Sequence, residues 1–205
     1  MADPPLHVAI ETSSRRGQLA LGRGDALLDT AELPAARRHN LDLVPALDAL
    51  LQQHGFHPRD LGELYLSLGP GSFTGLRIAV ATAKMLALTL GVRVVGVPTL
   101  DVLTAQHPGA LVALNVKRHT AWSAAPRNHL PPAFRTLDEL RATGLPLIAD
   151  TLDDATPVDP DVRVLRTLGH ARAAANRYDD PQTLGPFYLR EPEAVTLWNQ
   201  NHPDR

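Results

Sequence analysis

From Phe73 to Leu90 only Arg77 and Lys84 are charged, and their spacing of seven puts them on one helical face. Ile78, Thr82, Met85 and Thr89 form a second row; Leu76, Val80, Ala83, Ala87 and Leu90 form a third. A helix that is apolar nearly all round must be buried on more than one side. Ala79, Ala81, Ala83 and Ala87 let another backbone come close. One side can pack on the chain's own sheet. The opposite side needs cover, either from the same chain or from a helix of another. Lys84 interrupts the apolar run, which falls short of the ~20 residues of a membrane span.

The surrounding pattern is α/β. Residues 7–13, 17–21 and 26–33 read as three strands, and the turns between them are too short for parallel crossovers, so they form an antiparallel meander. A helix follows, capped by Asn40 or Asp42, with Leu43, Leu47, Leu50 and Leu51 at helical spacing and Pro45 near its start. A strand at 64–68, the loop 69–72, the apolar helix 73–90, a strand at 92–97 and a helix at 99–106 complete the order of an RNase H-like unit. The second half begins similarly, with a hairpin at 111–116 and 120–125, a helix at 137–142 and a strand at 145–149. Further on come a strand at 162–165, a helix at 168–178 and an extended 187–189. Two lobes are expected, 1–106 and a smaller copy at 107–205.

Length and composition bound the function. At ~150 residues per domain, 205 residues suit one to two units with a real core. A formal charge of −2 lacks the basic footprint of a dedicated nucleic-acid binder. With no Cys, disulfides, Cys-ligated zinc, iron–sulfur clusters and thiol nucleophiles are excluded. The start, Met1-Ala2-Asp3-Pro4-Pro5, shows no targeting pattern, and a soluble cytoplasmic protein is expected.

Few residues announce chemistry. Gly69-Pro70-Gly71-Ser72-Phe73-Thr74-Gly75 joins a strand to a helix. Such a loop either offers helix N-terminal N–H groups to an anion or simply lets elements pack closely. It lacks the Gly-Lys-Ser/Thr ending of a Walker loop. None of the nine histidines pairs with another at i, i+4, and His54 and His57 straddle a helix end, so no metal site is expected. No serine sits in a nucleophile elbow. Glu11 is either an acid, base or metal-water ligand, or a strand-end hydrogen-bonding residue. Arg15-Arg16 and Arg37-Arg38 are basic pairs in loops, solvated by default.

Three segments together carry a resemblance: Val8-Ala9-Ile10-Glu11-Thr12-Ser13, His39 before the helix containing Pro45, and Gly69 through Ile78. Val97-Pro98-Thr99-Leu100-Asp101 and Pro186-Phe187-Tyr188-Leu189-Arg190 add to it. The chain resembles the TsaB (YeaZ) family. That resemblance implies the actin-like ATPase (ASKHA) fold of two RNase H-like lobes, the C-terminal one reduced. It implies a non-catalytic partner of the paralogue TsaD, acting with the ATPase TsaE. The reaction is threonylcarbamoyl transfer to N6 of adenosine in tRNAs that read codons beginning with adenine. ATP and a metal are then expected on the partner proteins, with no catalytic, cofactor or metal residue in this chain and only indirect contact with tRNA. Self-association as a homodimer when TsaD is missing is left open by the sequence. The partner interface is expected on the two N-lobe helices, at Leu43, Leu47, Leu50, Thr74, Arg77, Ile78, Ala81, Thr82 and Met85. The sequence departs from the family pattern at Glu11, where many relatives have Asp, and at Asn115, Lys117 and Thr120. The competing readings are a stand-alone actin-fold ATPase or phosphotransferase, which the absence of any Gly-Gly dipeptide disfavours, and a metallopeptidase.

Overall fold

The computed structural model describes residues 3–33, 39–117, 119–149, 152 and 155–189. Strands β1 (Leu6–Glu11), β2 (Gln18–Arg23), β3 (Ala26–Glu32), β4 (Leu61–Gly69) and β5 (Arg93–Pro98) form one sheet, ordered β3-β2-β1-β4-β5. The first three are an antiparallel meander, while β1, β4 and β5 run parallel. Every residue of β1 is buried because both faces of the sheet are covered. Helices α1 (His39–Gln53) and α2 (Phe73–Leu90) cover one face, where Val8, Ile10, Leu19, Leu64, Leu66 and Val94 meet Leu43, Leu47, Leu51, Ala79 and Ala83. Ala9, Ala20, Tyr65, Val95 and Val97 turn to the other face.

That other face is closed by α3 (Thr99–Gln106) and by α5 (Val162–Ala174). A second sheet, β8-β7-β6-β9, is built from β6 (Leu111–Lys117), β7 (Thr120–Ala125), β8 (Leu130–Thr136) and β9 (Leu147–Ala149). With α4 (Leu137–Ala142) ahead of β9, it repeats the order β1-β2-β3-α1-β4 at smaller size. Its β6 pairs parallel to β9 and antiparallel to β7, as β1 does with β4 and β2. Leu100 and Leu103 of α3 join Val112, Leu114 and Ala124, so α3 is the shared layer between the two sheets.

Several local expectations change. Residues 162–165 are not a strand but the first turn of α5, because Asp161 Oδ1 accepts the Arg163 N–H at 2.8 Å and caps the helix. That helix ends at Ala174, short of the expected 178. The periodicity also misses β8, whose Pro131 and Pro132 sit on an edge strand where no ladder bond is lost. Residues 187–189 form no strand, although the Phe187 N–H donates to the Leu68 carbonyl at 2.7 Å. Helix α1 starts at His39, ahead of both proposed caps, so Pro45 lies in its interior. The boundary at 106/107 separates the two sheets but not the layers, since α5 from the second half packs on the first sheet.

Gly169 is where α5 crosses Tyr65. A methyl group there would run into the Tyr65 Cβ at 2.6 Å and into its ring. Gly169→Ala gains ~1 kcal/mol of helix propensity, and overpacking a filled core costs ~1–3 kcal/mol. The variant should therefore lose up to about 2 kcal/mol in urea unfolding; a gain in stability would mean that α5 does not seat on Tyr65.

Candidate functional site

The glycine loop leaves β4 at Gly69, passes a cis Gly69–Pro70 bond and enters α2. Its backbone lies flush against the end of β1. A Cβ at Gly71 would strike the Ser13 carbonyl oxygen, and one at Gly75 the Thr12 carbonyl oxygen. The Ser72 N–H donates to Ser13 O at 2.6 Å, and the Thr12 hydroxyl donates to Gly75 O at 2.9 Å. Ser72 Oγ accepts the Gly75 N–H at 3.2 Å, and Ser72 O accepts the Leu76 N–H at 2.9 Å. The Ser72, Gly75 and Leu76 N–H groups are thus engaged within the protein. Of the two readings of Gly69, Pro70, Gly71, Ser72, Phe73, Thr74 and Gly75, this geometry is the close-packed turn.

Glu11 lies directly beneath this contact and is fully buried. Its Oε1 accepts both the N–H and the hydroxyl of Ser13, at 2.6 and 2.5 Å. Among the described residues its Oε2 and the neighbouring Ser67 hydroxyl meet no partner at full hydrogen-bond geometry, although Ser67 lies close enough to favour the charged carboxylate. Burial pushes the Glu11 carboxyl up to about 7, against the bonds from Ser13 that favour its charged form. Its bonds to Ser13 are those of a strand-end hydrogen-bonding group.

The two N-lobe helices divide the expected interface residues. Leu43, Leu47 and Leu50 belong to the core under α1, each no more than 3% exposed, and have no surface to give a partner. Thr82 is buried too, and Ile78 packs against the same core. Their periodicity marks the inner face, which looks the same in sequence as a docking face. What α2 leaves outside is Thr74, Arg77, Ala81 and Met85. Leu88, 75% exposed and three residues further along this stripe, was not among the expected residues. The recurrence at 74, 77, 81, 85 and 88 was the signal that would have found it. Phe73, also exposed, stacks near Tyr188 with ring centroids 5.1 Å apart and lies under the Arg77 guanidinium. By length and composition α2 could cross a membrane, but Leu76, Ala79, Val80, Ala83 and Leu86 tie it to the sheet.

The remaining candidates scatter. Arg16 pairs with Glu32 at 2.5 Å, and His54 Nε2 with Asp29 at 2.9 Å. Arg37, Arg38 and Arg190 lie outside the described residues, as do the side chains of Asn115 and Lys117. Spacing along the chain does miss one convergence. His7, Glu63 and His170, from β1, β4 and α5, place their potential ligand atoms within 4.8 Å of one another. Burial, aided by Arg166, lowers the His7 imidazole to about 4.

Glu11 sets a pH dependence. Its folded value lies above the free value of 4.5, so the fold's stability is fully present below 4.5 and falls as pH rises through about 7. Glu11→Gln keeps the acceptor for Ser13 and offers an N–H to Ser67. It should match the wild type near about pH 4.5 and exceed it by about 2–3 kcal/mol near about pH 8. Urea melts at both pH values check this, and equal slopes with pH in the two proteins would contradict it.

Residues 33–125 match the family model described as TsaD: tRNA N6-adenosine threonylcarbamoyltransferase. The chain is 35% identical over 98 residues to the tRNA threonylcarbamoyladenosine biosynthesis protein TsaB of Bacillus subtilis; the match spans 48% of this chain and 43% of that protein. It is 31% identical over 183 residues to an uncharacterized protein of Mycobacterium tuberculosis, covering 79% of this chain and 80% of the relative. A solved structure of YeaZ from Pseudomonas aeruginosa superposes with a TM-score of 0.70 at 19% identity, over 90% of this chain and all of that one. A second Pseudomonas aeruginosa structure, described as similar to peptidase YEAZ, gives 0.72 over 91% of this chain. At this identity the structures establish the fold, which is actin-like.

Proposed function

The chain belongs to the TsaB (YeaZ) family, and from that premise we propose that it serves tRNA threonylcarbamoyladenosine biosynthesis as a non-catalytic docking subunit for a TsaD-type paralogue. The observation that carries this reading is the outer stripe of α2. A helix whose inner side is already in the core exposes Met85 and Leu88 in line with Ala81. Small Ala81 lets a second helix approach, and the two larger side chains supply apolar area to bury. A paralogue with the same lobe would bring an equivalent helix, so the two chains would meet helix to helix. The closed turn at Gly71 and Gly75 favours a subunit that leaves phosphate chemistry to its partners.

In this reading TsaD carries out the transfer, TsaE supplies ATP turnover, and ATP and metal reside on those proteins. This chain positions TsaD, touches tRNA only through it, works in the cytoplasm, and pairs with itself through the same stripe when TsaD is missing. The rival, a stand-alone ATPase or phosphotransferase, requires a nucleotide to bind this chain alone.

Mixed with the TsaD of its own source, the wild-type chain should elute as a heterodimer in size-exclusion chromatography. Met85→Glu and Leu88→Glu each place a charge in a contact worth ~1.5–3 kcal/mol of burial. Either should weaken the heterodimer at least about tenfold while leaving circular dichroism unchanged. An undiminished heterodimer in the double variant overturns the stripe as the interface. Modification of tRNA by TsaD and TsaE should require this chain and fall with the same variants. Calorimetry of the isolated chain with ATP should give no heat of binding; tight binding would favour the stand-alone enzyme.

A further inference from the structure

The first sheet carries a second polar centre, far from the glycine loop, at the ends of the strands where β1 and β4 begin. His7 and Glu63 are register partners on those parallel strands, and α5 lays His170 over them. His7 is fully buried, and among the described residues neither its Nδ1 nor its Nε2 meets a partner at full hydrogen-bond geometry, the Pro5 backbone giving it only a weaker polar contact. A buried polar group left unmade costs free energy and calls for an explanation, often an ion or a water.

The other two residues are held as ligands usually are. His170 Nε2 lies 3.2 Å from Asp25 Oδ1, and in the tautomer that donates this proton to the carboxylate the Nδ1 lone pair faces inward. The same Nδ1 is 3.4 Å from the Tyr65 hydroxyl. Glu63 Oε1 accepts from Arg93 Nη2 at 2.7 Å and from the Tyr178 hydroxyl at 2.8 Å. Among the described residues its Oε2 accepts only from the Tyr65 hydroxyl, so one lone pair remains. Two imidazoles and a carboxylate are a donor set that holds zinc-like ions with a fourth position open. His170 is partly exposed and Asp25 wholly so, which provides a way in from solvent.

We propose that His7, Glu63 and His170 form a binding site for one zinc-type divalent transition-metal ion, which clips α5 to β1 and β4. The ion supplies the partner that His7 lacks and joins segments more than a hundred residues apart in the chain. Arg93, paired with Glu63, and Arg166, bonded to the Gly24 and Asp25 carbonyls, oppose the incoming positive charge. The nearby positive charge keeps the affinity moderate.

The test uses the full chain stripped with a chelator and titrated with zinc chloride alone. One ion per chain should bind in the micromolar range, and the melting temperature should climb with free zinc, because the ion binds the folded state. Cobalt(II) should give the visible absorption of a four-coordinate site. His170→Gln, at a partly exposed position, should abolish the stoichiometric ion, the thermal response and the cobalt spectrum, while His54→Gln keeps all three. A wild-type chain that binds no stoichiometric zinc, or a His170→Gln chain that binds it unchanged, overturns the proposal. Where Glu63→Gln folds, its retention of the ion would overturn it equally.

Discussion

The contact on which the architecture turns is backbone against backbone. The loop that follows β4 is pressed onto the end of β1 so tightly that Gly71 and Gly75 have no room for a Cβ. Two hydrogen bonds, from Ser72 N–H to Ser13 O and from the Thr12 hydroxyl to Gly75 O, hold it there. This seat fixes the first turn of α2. Once that turn is set, helical geometry decides which residues of α2 face the sheet and which face outward. The same contact lies beside the buried Glu11 and takes up the Ser72 N–H.

The two faces of the first sheet follow different physics. Under α1 and α2 the packing is almost wholly aliphatic, with leucines from β1, β2 and β4 meeting leucines and alanines of the helices. Under α5 the layer is mixed. Tyr65 and Tyr178 donate to Glu63, Arg93 pairs with it, and Arg172 reaches the Gly96 carbonyl and Asp101. A polar layer of this kind is directional, so it specifies where a late helix must sit on an early sheet. That role suits α5, which returns from the second half of the chain to complete the first.

Much of the order of elements was legible because local signals agree. The alternation in the first three strands, the Gly22–Asp25 turn, the apolar row of α2 and its stop at Gly91, which takes φ 71°, all act within a few residues. The failures also have local causes. Val162–Leu165 is β-branched and apolar enough to read as a strand, and only a cap at Asp161 with a core to pack on makes it helical. An edge strand carrying two prolines gives no strand signal at all.

The candidate site was half legible. Periodicity identified the two helices but could not say which row of each lies inward, since a core row and a docking row have the same composition and the same spacing. Leu47 and Met85 read alike in the sequence; the fold buries one and exposes the other. By itself the sequence determined the α/β order, the family signature at Gly69–Gly75 and the absence of cysteine chemistry, because each rests on residue identity or short-range spacing. Only the tertiary structure decided that the glycines serve packing, that Leu88 continues the open stripe, and that His7, Glu63 and His170 converge. Those outcomes depend on which strands and helices become neighbours, and that is settled by long-range burial rather than by any local pattern.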